Sequence, residues 1–130
     1  MPSNFTKNIA VTYKDLDELN HVNNIRYIEW IQEISREHWQ KVSKKQFDHA
    51  FLWVVRKHDI TYHHAAQEND NLLVSTHIAL FHGPISKRIV EIKNNKTGQL
   101  LVRSITDWCL VDKVDLRPKR IPESMSSLFE

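Results

Sequence analysis

Glycine is almost missing from this chain: Gly83 and Gly98 are the only two in 130 residues. That shortage excludes every phosphate-binding loop built on glycine spacing, the dinucleotide and P-loop fingerprints included. Cysteine occurs once, at Cys109, so an intrachain disulfide framework and a zinc site made of cysteines alone are both excluded. Cys109 lies in an apolar run and reads as a small buried filler rather than a nucleophile. No window approaches the ~18 continuous apolar residues of a membrane span. The stretch Met1-Pro2-Ser3-Asn4-Phe5-Thr6-Lys7 carries no apolar segment of signal-peptide length, which makes the cytoplasm the expected compartment. Neither sign of charge dominates: 18 Lys+Arg face 16 Asp+Glu for a formal +2. Short, mixed charge runs do not make a nucleic-acid footprint or a polybasic membrane anchor.

What is present is the balance of a single soluble domain, 41% hydrophobic and 26% charged. A chain of this size buries roughly two-thirds of its unfolded surface. No repeat or Pro/Gly/Ser-rich linker divides it, so residues 1–130 are expected to form one unit.

The β-branched run Ile9 to Tyr13 predicts a first strand. Lys14 to Asn24 is too polar and too rich in turn formers for a strand interior and predicts a loop ending in an asparagine helix cap. From about Asn24 to Val42 the period is helical: Tyr27, Ile31, Ile34 and His38 share one face, and Ile25, Ile28 and Trp30 widen it. Glu33, Arg36, Glu37 and Lys41 mark the solvated side. After residue 50 the period becomes two. Phe51 to Tyr62 predicts a strand with a bulge or an edge, because both parities carry charge. Leu72, Val74, Ile78 and Leu80 define the inward side of a third strand, and Lys87 to Lys93 reads as a fourth. Asn94 to Gly98 is a hairpin turn in which Gly98 supplies positive φ. Leu100 to Val111 is the last long strand, and the tail beyond Pro118 and Pro122 predicts at most one helical turn. A helix apolar over most of its surface needs a sheet wrapped about it, which makes the fold α+β rather than doubly wound.

The run Asp15-Leu16-Asp17-Glu18-Leu19-Asn20-His21-Val22-Asn23-Asn24, continuing through Arg26-Tyr27-Ile28-Glu29-Trp30, resembles the helix-entry motif of hotdog-fold acyl thioesterases. The resemblance is greatest to the plant acyl-carrier-protein thioesterases. Val54-Val55-Arg56 before Ile60-Thr61-Tyr62, Thr97-Gly98 ahead of a long strand, and Trp108 within it echo the same pattern. The resemblance implies a single hotdog domain, with a long central helix wrapped by an antiparallel sheet of about five strands. It implies hydrolysis of an acyl-CoA or acyl-carrier-protein thioester.

In the 4-hydroxybenzoyl-CoA thioesterase branch the second aspartate of an Asp-x-Asp loop is the catalytic carboxylate, and that position here is Asp17. Such a group either attacks the thioester carbonyl or deprotonates a water that does. The first turn of the following helix, with free N–H groups and a positive dipole end, is the implied oxyanion site. Asp15 is expected to support the loop. His21 matches an active-site histidine of the plant enzymes and is a second catalytic candidate. Asn23 and Asn24 are divided between capping the helix and touching substrate, and Tyr27, next to them on the helix, is a candidate substrate contact. Gly83 to Arg88 matches the region along the pantetheine arm, so Ser86, Lys87 and Arg88 are candidate substrate contacts. The two cations would meet the CoA phosphates, or else serve as a charged strand edge. The four tryptophans read as core or interface.

Leu19 departs from the plant pattern, where an asparagine stands. The departure weakens the water-positioning arrangement of those enzymes and leaves open a non-catalytic thioester- or partner-binding hotdog. A hotdog dehydratase or hydratase would need a His-Phe-x-Gly-x-Pro-like segment, which this chain lacks. The plant enzymes carry two hotdog units per chain, so this one is expected to assemble as a homodimer or homotetramer. No metal or redox cofactor is implied. His63 and His64, read as adjacent strand residues on opposite faces, do not make a metal site.

Overall fold

The computed structural model describes residues 3–130; Met1 and Pro2 of the amino-terminal stretch lie outside the described residues. Strand β1 (Asn4–Ala10) leads through a polar loop to helix α1 (Asn24–Ser43). Four strands come next: β2 (Phe51–Tyr62), β3 (Asn71–His82), β4 (Ile85–Asn94) and β5 (Leu100–Asp112). A single helical turn, α2 (Glu123–Ser126), runs into a 3-10 turn at Ser127–Phe129. All strands join one antiparallel sheet in the order β1-β3-β4-β5-β2. No helix among the described residues is long and apolar enough to cross a membrane.

Helix α1 lays Tyr27, Trp30, Ile31, Ile34 and His38 on the sheet, each at most 2% exposed. The apolar members meet Leu72 and Val74 of β3, Val90 and Ile92 of β4, and Leu101 and Val102 of β5. Fully burying one such aliphatic side chain contributes about 1.5–3 kcal/mol. A second cluster at the far end joins Leu110, Ile121 and Met125 to Trp39, Phe47, Phe51, Trp53 and Phe81. The α1 stripe is narrower than the composition suggests, since Ile25 is 66% exposed.

Two expectations are corrected and one is resolved. The first strand lies earlier than the run Ile9 to Tyr13: it ends at Ala10, and Tyr13 opens a 3-10 turn with Asp15. On β3 a register break between Ile78 and Leu80 reverses the parity of the residues beyond it. Leu80 is therefore exposed and Phe81 packs inward in its place. The mixed parity of Phe51 to Tyr62 has both expected causes: β2 is a sheet edge, and its register breaks between Val55 and Lys57. The β4–β5 turn is tied by Asn94, whose Oδ1 accepts from the Lys96 and Thr97 N–H groups, while Gly98 sits at φ +76°.

Candidate active site

The loop before α1 is organised by two aspartates with separate tasks. Asp15 is buried; its Oδ2 accepts from the Thr12 N–H at 2.9 Å and its Oδ1 from Arg26 Nε at 2.8 Å. The bond to Asp15 raises the Arg26 pKa further above its ordinary value. The Asp15 carbonyl also accepts from the Asn23 N–H at 2.9 Å, which locks the loop to the start of the helix. Every one of these partners is structural, so Asp15 holds the loop in place.

Asp17 faces the other way. Its Oδ1 accepts from the Leu19 N–H at 2.8 Å and the His21 N–H at 3.2 Å, an arrangement that turns the chain back on itself. Asn20 takes φ +60° in this turn, a conformation asparagine tolerates better than most residues. Neither hydrogen bond uses Oδ2, and no ion pair engages Asp17 among the described residues. Leu16 bridges to Val22, and His21 to Gln67, fastening the turn to the β2–β3 connection.

Asn23 caps the helix: its Oδ1 accepts from the Ile25 N–H at 3.1 Å and its carbonyl from the Arg26 N–H at 2.8 Å. The Asn24 N–H has no partner among the described residues and is the free donor at the positive end of α1. Tyr27, 2% exposed, accepts from the Ala66 N–H at 3.0 Å. Burial raises its pKa, against the opposing pull of that hydrogen bond, so its phenol is a neutral wall at pH 7.

Asp17, His21, Asn24 and Tyr27 converge on an open cleft of about 200 Å3. Asp17 is solvent-exposed in the single chain, yet it lines this cleft beside the helix start instead of pointing away from it. Asn23 stands next to the cleft as a cap. The structure does not bring Ser86, Lys87 and Arg88 to Asp17. Lys87 lies on the outer side of β4, its Nζ 2.9 Å from Asp107, whereas Ser86 and Arg88 are buried and line a separate cavity. Adjacent strand residues alternate between faces, so Lys87 and Arg88 do not form one clamp within this chain.

Four further residues that the sequence did not single out for this site line the cleft: Tyr62, His63, His64 and Ala65. The opposite-face argument fails for the histidine pair because β2 ends at Tyr62. Both histidines lie in the connection, where each backbone N–H bonds the Leu101 carbonyl. The signal available was their position just beyond a strand pattern. No group of three or more metal-ligating side chains comes together among the described residues.

The acyl-ACP thioesterase N-terminal domain family matches residues 2–129. This chain belongs to that family. The fold is the hotdog, shared with thioesterases of solved structure at low identity. The 1,4-dihydroxy-2-naphthoyl-CoA thioesterase Slr0204 from Synechocystis is 19% identical over 98% of this chain and 96% of its own, with a TM-score of 0.82. A 4-hydroxybenzoyl-CoA thioesterase variant complexed with 4-hydroxybenzoyl-CoA is 16% identical over 98% and 99%, with a TM-score of 0.87. The 12:0-ACP thioesterase from Umbellularia californica is 17% identical over 98% of this chain and 51% of its own, with a TM-score of 0.85. This hotdog chain thus spans about half the length of the plant enzyme. No curated protein matches it.

Proposed function

We infer that the protein hydrolyses an acyl thioester, of CoA or of acyl-carrier protein, to a free acid and a thiol. What supports this most directly is the Asp17 carboxylate, held by Oδ1 and unengaged at Oδ2, in a cleft beside the free N–H of Asn24. The thioester carbonyl oxygen receives the Asn24 N–H, which stabilises the charge that develops there as the carbon becomes tetrahedral. Asp17 either attacks the carbonyl carbon, expelling the thiolate and leaving a mixed anhydride for water to cleave, or takes a proton from the water that attacks. His21 protonates the departing thiolate or orients the water. Tyr27 and Tyr62 form the apolar wall that excludes competing water.

A second copy of the chain closes the exposed side of the cleft, making the active unit a homodimer or a homotetramer. Within that assembly Lys87, on the outer side of β4, runs along the pantetheine arm, whereas Ser86, buried on the opposite face, does not. The expected Arg88–phosphate contact is not part of this reading, because Arg88 faces a separate cavity that shares no lining residue with the Asp17 cleft.

The deciding experiment is thiol release from a panel of acyl-CoAs, short, long and aromatic, with Asp17→Asn alongside. Wild type hydrolyses at least one class, and Asp17→Asn, still folded, loses at least a hundredfold, roughly the scale of a general base. Equal rates for the two proteins remove Asp17 from the chemistry. Silence of well-folded wild type across acyl-CoAs and acyl-carrier proteins leaves the binding-module reading that Leu19 favours.

A further inference from the structure

A second cavity, about 250 Å3, lies between the later half of α1, the start of β2, and the inner faces of β4 and β5. It shares no lining residue with the Asp17 cleft. Arg36, Asp48 and Leu52 form its mouth, while Ser35, Ser86 and Arg88 are buried and form its floor. Trp39, Trp53, Trp108 and Phe129 supply the walls.

Arg88 is the anomaly. A cation withdrawn from water costs several kcal/mol, and proteins normally offset that with a carboxylate. Arg88 has none: no ion pair engages it among the described residues. Its two hydrogen bonds go to the neutral partners His38 Nδ1, at 2.8 Å, and Thr76 Oγ1, at 3.0 Å. Both leave from Nη1, so the Nε–Nη2 edge of the fork stays free, the edge that suits bidentate capture of a carboxylate. Burial pulls the guanidinium pKa down only to about 10, so it stays charged at pH 7. The Phe129 ring, 5.9 Å from the guanidinium carbon, adds a modest cation–π attraction. A second donor is idle as well: the Trp108 indole N–H is buried without an acceptor among the described residues.

We propose that this cavity binds a small amphiphilic carboxylate, its charged end on Arg88 and its apolar body between Trp39, Trp53 and Trp108. The charge complement comes from a buried cation with no internal counter-ion, and the apolar complement from the aromatic walls. The volume limits the body to one ring or a short acyl chain, since ligand pockets commonly run roughly 300–1,000 Å3. Thioester hydrolysis would release an acid of this class, but the site rests on Arg88 and its walls and not on that activity.

The test is isothermal titration calorimetry of the full chain with octanoate and phenylacetate, each against its neutral amide. Wild type binds at least one acid saturably, one per chain, and the matching amide binds at least tenfold more weakly. Arg88→Gln loses tenfold or more. Ser86→Leu fills the floor while keeping the cation and also abolishes binding, which decides the matter if Arg88→Gln does not fold. Asp17→Asn leaves binding unchanged. The proposal is overturned by equal affinity for acid and amide, by no heat with folded wild type, or by binding that responds to Asp17→Asn and not to Ser86→Leu. The last result would put the ligand in the Asp17 cleft. Because binding is read and not hydrolysis, failure here and failure of the thioesterase reading are separate results.

Discussion

Arg88 donates to His38 Nδ1 at 2.8 Å, and this contact sets the tautomer of a buried imidazole. Arginine has only donors, so Nδ1 must carry a lone pair and the ring proton sits on Nε2, donated to Ser3 Oγ at 2.8 Å. Protonating Nδ1 would bury a second cation against the first, with Lys41 adding to the repulsion. Burial, then Arg88, then Lys41 lower the His38 pKa to about 4.

Stability should respond to pH accordingly. Above about pH 6.5, His38 is neutral folded and unfolded, and the native state loses nothing. As pH falls from there toward 4, the unfolded chain takes up a proton that the native state refuses. Stability declines by about 3 kcal/mol across that window, because each tenfold difference in proton affinity is worth about 1.4 kcal/mol. Urea unfolding at pH 7 and pH 4.5 measures the decline, and His38→Gln should flatten most of it relative to wild type. An unchanged slope in that variant would assign the acid sensitivity elsewhere.

The two loop aspartates should separate cleanly. Asp15→Ala removes a buried carboxylate bonded to Thr12 and Arg26 and leaves the Thr12 N–H unmet, costing about 1–3 kcal/mol. Thermal melts of Asp15→Ala and Asp17→Asn should show a large fall for the first and little change for the second. Thiol release should fail in Asp17→Asn even at temperatures where it is fully folded. A comparable drop in melting temperature for both would make Asp17 a second structural carboxylate.

Asn23 contributes to stability as a helix cap. Asn23→Ala should cost about 1 kcal/mol, and Asn23→Asp should restore it, since the aspartate oxygen accepts the same bond at the helix start. KM for the thioester should move less than about twofold in Asn23→Asp. A KM that rises tenfold while stability is restored would make the side chain a substrate contact instead.

Asn20 tests whether the turn's shape or its chemistry matters. At φ +60° glycine fits without strain and a β-branched residue does not. Asn20→Gly should keep kcat close to wild type, and Asn20→Val should reduce it at least tenfold by displacing the Asp17 carboxylate. Loss of activity in both would give the Asn20 amide a direct part, covering for the asparagine absent at position 19.

Local order was legible in the residues themselves. The 3.6-residue spacing of Tyr27, Ile31, Ile34 and His38 needs no partner to be recognised, and α1 begins at Asn24 as that spacing and its asparagine cap require. Asn94 and Gly98 likewise specify their turn through side-chain acceptors and φ, and the charged parities of β2 reveal its bulge. The loop motif supplied the family and singled out Asp17. Tertiary pairing decided the remainder. A bulge on β3 reverses parity without leaving a mark in composition, so Leu80 and Phe81 exchanged faces. Where β2 stops depends on its register with β5, and that stop brings His63 and His64 to the cleft. Lys87 and Arg88 are neighbours in the chain, but strand alternation sent one outward to Asp107 and the other inward to His38. Periodicity is a property of a segment, whereas the environment of a charge is set by strands distant in the chain, so no reading of residues 86–88 alone shows Arg88 buried without a carboxylate.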